Sequence, residues 1–247
     1  MFKMYTPDFM DFLNTVDDFN EKAGNAIWFR GHASTSYKLH SGLYRLDTND
    51  RNEFIKIEKQ LYNHFLNEGI LLNNGYKEWD LLYTMQHYGV RTRLLDWTSS
   101  LVVALFFASL DWKAGSSRLW MLNPVRLNER AINQQAILSP YNIEFSQLNK
   151  LENSIAIYPI KNTPRINVQH GFFTIQGNSL MPLDEEFDGA LLREGILSYI
   201  DLSIDFKEDI MKYLSQNGIN YFSIYPDLEG LAKHLNKTLI KPSLLVE

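Results

Sequence analysis

Met85-Gln86-His87-Tyr88-Gly89-Val90-Arg91-Thr92-Arg93-Leu94-Leu95-Asp96-Trp97-Thr98-Ser99-Ser100 runs straight into the apolar Leu101-Val102-Val103-Ala104-Leu105-Phe106-Phe107-Ala108. A polar run feeding an apolar one holds its charges near a core, where each needs a partner. The apolar half, entered through hydroxyls and left at Asp111, is expected as a buried helix; it falls short of the roughly 20 residues of a membrane span. On the other side, Lys77–Tyr88 is expected as a helix burying Trp79, Leu82 and Met85, with Gly89 in the left-handed position after its end. Arg91-Thr92-Arg93 then forms a link anchored by Leu94-Leu95. Asp96 precedes the second helix, which Thr98 or Ser99 caps. The open N–H groups at that helix start can hold an anion, or Asp96 can satisfy them itself.

Upstream, Thr6-Pro7 caps and opens a helix that ends before Gly24. Ala26–His32 is expected as a short buried strand delivering Arg30 at its end, with Gly31 allowing close backbone approach. An Arg behind three apolar residues needs an anionic partner: an internal carboxylate, or a bound phosphate or carboxylate that suits its planar fork. Asn52–Leu72 places Phe54, Ile57, Leu61 and Phe65 at helical spacing. Downstream, strands are expected at Ser117–Asn123, Ser154–Ile160, Gly171–Ile175, Gly195–Leu202 and Ile219–Ile224. Helices are expected at Asn128–Ile137, Ser203–Asn217 and from Pro226-Asp227 onward, with a helical or turn segment at Arg165. Short, irregularly spaced strands among helices point to an α+β fold: a mostly antiparallel, split β-sheet surrounded by helices.

The 247 residues, 45% hydrophobic and 13% aromatic, can bury a large core. A net charge of -5 gives no general attraction for nucleic acid or an anionic membrane, so any anion site must be local. The absence of cysteine excludes disulfides, thiol nucleophiles and cysteine-based zinc sites. It fits a reducing, cytoplasmic setting, as does a start at Met1–Asp8 without signal-peptide features. No phosphate-binding glycine loop, His-Glu-x-x-His or Gly-x-Ser-x-Gly is present, and the six histidines show no i,i+4 pair, so no metal site is expected.

Four blocks remain: Phe29-Arg30-Gly31; Gln86-His87-Tyr88-Gly89 with Thr92-Arg93-Leu94-Leu95-Asp96-Trp97-Thr98; Gln169-His170-Gly171-Phe172-Phe173-Thr174; and Pro226-Asp227-Leu228-Glu229-Gly230-Leu231. In this order they resemble the FRG-domain family, named for its Phe/Tyr-Arg-Gly motif. The resemblance implies a single domain over 1–247, its motifs within about 24–234 and an N-terminal helix at 6–22 packed on it. It also implies links to bacterial and phage-associated defence or toxin-like systems. Phe29-Arg30-Gly31, with Trp97-Thr98-Ser99-Ser100 leading into a helix, is further similar to ADP-ribosyltransferases.

That similarity implies an NAD-like dinucleotide as cofactor, held through Arg30, Thr98 and Gln169. Gln169 stands where those enzymes carry a catalytic Glu, so Asp96 or Glu229 would have to supply the charge that a Gln lacks. The expected catalytic group is therefore Arg30, Asp96, Gln169 and Glu229; Gly31, Gln86, His87, Arg91, Arg93, Thr98, Ser99 and His170 are expected around the ligand. Two other outcomes stay open. One is a non-catalytic module binding a nucleotide, a phosphorylated small molecule or a protein target or neutralising partner through Arg30, Arg91 and Arg93. The other is a buried polar network that only fixes the core.

Overall fold

The computed structural model describes residues 5–24, 26–110 and 115–240. Thr6 caps α1 (Pro7–Lys22) by accepting from the Phe9 N–H, with Pro7 in the first turn. β1 (Trp28–His32) follows, then α2 (Arg51–Glu68) and α3 (Glu78–His87), after which Gly89 takes a positive φ of 83°. The chain continues through β2 (Leu94–Thr98), α4 (Leu101–Ala108), β3 (Ser116–Leu122), α5 (Pro124–Ile132), β4 (Ile155–Ile157), α6 (Pro164–Val168) and β5 (Gly171–Ile175). It closes with α7 (Ala190–Arg193), β6 (Leu197–Ser203), α8 (Lys207–Gln216), α9 (Tyr221–Ile224) and α10 (Leu228–Leu239). No helix among the described residues is long and apolar enough to cross a membrane.

The strands form one antiparallel sheet in the order β4-β5-β2-β1-β3-β6. Its two halves barely meet. β1 pairs with β3 over five positions, Trp28 opposite Leu122 to His32 opposite Arg118, and β2 pairs with β5 from Leu94 opposite Ile175 to Thr98 opposite Gly171. Between the halves the register is the single pair Phe29–Thr98. Beyond that pair β1 and β2 splay apart, which bears out the α+β, antiparallel, split-sheet expectation in a specific place.

Strand alternation assigns the faces. Trp28, Leu95, Trp97, Trp120, Leu122 and Leu197 share one core that continues across the split. On the opposite face the core is divided. One part packs α1, α4 and α8 on Phe29, Leu119 and Met121; the other packs α3 on Leu94, Phe173 and Ile175. The gap between these two cores lies above the splayed strands.

Four expectations are corrected. Leu94–Thr98 is a strand, not an anchor leading into a helix: its alternation is hidden because Asp96, at its centre, sits over the open split. The helix expected at Asn128–Ile137 spans Pro124–Ile132, because Asn123 accepts from the Arg126 N–H and Pro124 fills the first turn. The cap of α4 is Ser100, with Thr98 Oγ1 accepting the Ser100 N–H at 3.0 Å. Ile219–Ile224, expected as a last strand, holds the short helix α9, where the Asn220 side chain accepts from the Phe222 and Ser223 N–H groups and the Ser223 hydroxyl accepts from the Asn220 N–H.

Candidate functional site

Gly31 sets the distance between β1 and α4. A Cβ there would stand 1.9 Å from the Ala104 carbonyl oxygen and 2.6 Å from the Ala108 nitrogen, so only glycine lets the helix lie this close. Arg30, its side chain 16% exposed, reaches across the split and donates from Nη1 to the Asp96 carbonyl oxygen at 2.5 Å. It therefore satisfies a strand carbonyl that the missing β1–β2 ladder leaves open. Its Nε also lies 3.0 Å from His32 Nε2. Burial pushes the Arg30 guanidinium down to about 10, which leaves it cationic at neutral pH. Burial and the Arg30 charge together hold His32 neutral, down to about 2.

Above the split a cleft of about 230 Å³ is bounded by α3, α4 and α6. Its walls come from both half-cores, with Phe29, Val103 and Phe107 on one side and Tyr83 and Phe173 on the other. Asp96 is the carboxylate that lines it, 60% exposed. A chain of hydrogen bonds orients it: Thr92 Oγ1 donates to Gln86 Oε1 at 2.6 Å, which turns Gln86 Nε2 toward Asp96 Oδ2 at 3.0 Å. Arg30 Nη1 is 3.9 Å from the same oxygen.

His87 lines the cleft at the end of α3, and neither ring nitrogen makes a hydrogen bond among the described residues. Burial and the charge of Arg165 lower its pKa, while Asp227 opposes them, so His87 enters neutral. Arg165 on α6 stacks 4.6 Å over the Tyr225 ring and lines the cleft with no carboxylate partner among the described residues. It was expected only as part of a helical or turn segment, not as a site residue. The signal that could have found it is helical spacing, since Arg165 and Gln169 stand four apart and both border the cleft.

The structure thus brings together Arg30, Gly31, Gln86, His87, Asp96, Thr98 and Gln169. Thr98 and Gln169 are engaged as well. Thr98 Oγ1 donates to the Gln169 carbonyl at 2.7 Å, and Gln169 Nε2 donates to the Ile224 carbonyl at 3.1 Å, which ties α6 to α9. Ser99 and His170 lie outside at the exposed turn, joined by the Ser99 N–H to the His170 carbonyl at 3.1 Å.

Three expected residues lie elsewhere. Arg93, 1% exposed, gives Nε to Glu58 Oε1 at 2.6 Å, Nη2 to Glu58 Oε2, and Nη1 to the Leu148 carbonyl at 2.9 Å. It holds α2 to the turn at Leu148 and has little left for a ligand. Arg91 is exposed beyond α3 and donates to the Gly42 carbonyl at 3.2 Å. Glu229, 77% exposed, pairs along α10 with Lys233 at 2.7 Å and does not reach the cleft. Among the described residues no three His, Asp or Glu side chains gather as metal ligands.

Fold and cleft together define an α+β protein with a pocket of polar groups between apolar walls at the opening of a split antiparallel sheet. Residues 25–116 match the model of the FRG domain, so the chain carries an FRG domain over that span. The match takes in β1, β2, α3 and α4; the third and fourth motif blocks lie beyond it. No curated protein and no solved structure matches the chain at a significant level, and the similarity to ADP-ribosyltransferases gains no support from them.

Proposed function

We propose that the cleft above the sheet split binds a nucleotide-like small molecule, with its phosphate on Arg165 and its ring against Tyr83, Phe107 and Phe173. The observation that carries this is Arg165, a cation at the cleft with no carboxylate partner among the described residues. His87 beside it keeps both ring nitrogens available, and one oxygen of Asp96 is open to accept from a ribose hydroxyl. A cavity of about 230 Å³ lies below the roughly 300 Å³ of the smaller drug-sized pockets. An NAD-like dinucleotide would therefore enter by its nicotinamide mononucleotide half and leave the adenosine half outside the mouth.

The test is thermal unfolding of the full chain with nicotinamide mononucleotide, AMP or inorganic phosphate, for the wild type and Arg165→Ala. Binding at about a hundredfold excess over Kd stabilises a protein by about 2.7 kcal/mol. Wild type is expected to respond to a mononucleotide, and Arg165→Ala to lose the response while unfolding within about 1 kcal/mol of wild type, since a cation–π contact at a partly exposed site contributes no more. A response that survives Arg165→Ala contradicts the proposal.

Catalysis is a second reading, favoured by the oriented Asp96. A carboxylate beside the nicotinamide–ribose bond can stabilise the positive charge that develops as the bond breaks, with water attacking the sugar and nicotinamide leaving. Nicotinamide release by the wild type, lost in Asp96→Asn, is the expected result. Release unaltered in Asp96→Asn would refute it.

A further inference from the structure

A second cavity, of about 170 Å³, opens between α2, α3 and the turn that carries Phe145 and Leu148, and shares no lining residue with the first cleft. Tyr62, Leu82, Met85, Phe145 and Leu148 make it apolar. At its rim stand two exposed cations, Lys59 from α2 and Arg91 from the link before β2. Neither has an ion-pair partner among the described residues, and Arg91 engages only the Gly42 carbonyl, at 3.2 Å. Glu58 also borders the cavity, but both of its oxygens are bound by Arg93, so its charge is already neutralised.

An apolar chamber rimmed by two unpaired cations matches a molecule with an apolar body and an anionic tip. The chamber's size limits that body, because a cavity of roughly 150 Å³ lined by aliphatic and aromatic side chains takes one benzene. From this we infer that the cavity is a binding site for a small carboxylate carrying a single aromatic ring, the ring among Met85 and Phe145 and the carboxylate at Lys59 and Arg91. The site is separate from the cleft of the proposed function and stands without it.

Phenylacetate is the probe, and benzyl alcohol, with the same ring and no charge, is its control. Calorimetric titration of the full chain is expected to show saturable one-to-one binding of phenylacetate, with a shift of the Met85 methyl resonance. Two exposed ion pairs together amount to about a tenfold change in affinity, so benzyl alcohol should bind about tenfold more weakly. The double variant Lys59→Ala/Arg91→Ala should bring phenylacetate to the level of the alcohol, and Arg165→Ala should leave phenylacetate binding unchanged. Equal affinity for the two probes, undiminished affinity in the double variant, loss of binding in Arg165→Ala, or no saturable binding at millimolar phenylacetate overturns the inference.

Discussion

Gly31 has no space for a methyl group, and the atoms it would strike are backbone atoms of α4, which cannot swing aside. Gly31→Ala is therefore expected to lower stability by at least about 3 kcal/mol, read as a fall in the urea midpoint. At Glu186 the constraint is electrostatic. This carboxyl is 1% exposed and accepts from the Ser154 N–H at 2.9 Å and the Ser154 hydroxyl at 2.7 Å. Burial outweighs these bonds and raises it from 4.5 to about 7. A pKa raised on folding contributes stability that is complete below the unfolded value and lost as pH rises through the folded one. Wild type is expected to lose on the order of 3 kcal/mol between pH 5 and pH 9 from this group. Glu186→Gln should flatten that slope, and equal slopes in the two proteins would show that the group does not titrate with folding.

At the scale of elements, Arg93 and Glu58 join α2 to the turn at Leu148. Removing one member of a buried pair strands the other, at about 3–5 kcal/mol, whereas apolar replacement of both is far milder. Chemical denaturation should find Glu58→Ala severely destabilised and Glu58→Met/Arg93→Met much closer to wild type; similar losses in the two would contradict this role. Local chemistry explains which elements were legible in the sequence. Thr6-Pro7, the helical spacing in α2 and Gly89 after α3 act within a few residues, and the structure keeps all three. Asp96 hid β2 because a charge in mid-strand makes sense only once the sheet is seen to split beside it. Ile219–Ile224 reads as an apolar strand, but the paired bonds of Asn220 with Ser223 make a helix start there.

For the whole molecule, the decisive feature is one pair, Phe29–Thr98, joining two half-sheets under two half-cores. Arg30, Gln86, His87, Asp96, Thr98 and Gln169 were singled out as polar residues of the motif blocks that carry the family resemblance, and they meet at this opening. Arg91, Arg93 and Glu229 shared the same local signature, yet their positions were fixed by contacts far along the chain, with Gly42, with Glu58 and Leu148, and by the direction of α10. Arg165 was passed over because its role depends on its having no carboxylate partner among the described residues, which only three dimensions reveal. The most direct test is calorimetric titration with nicotinamide mononucleotide of wild type, Arg165→Ala and Arg91→Ala. One-to-one binding that falls at least about tenfold in Arg165→Ala and is unchanged in Arg91→Ala is the predicted result; equal affinity in wild type and Arg165→Ala, or an equal loss in Arg91→Ala, would contradict a site at the split.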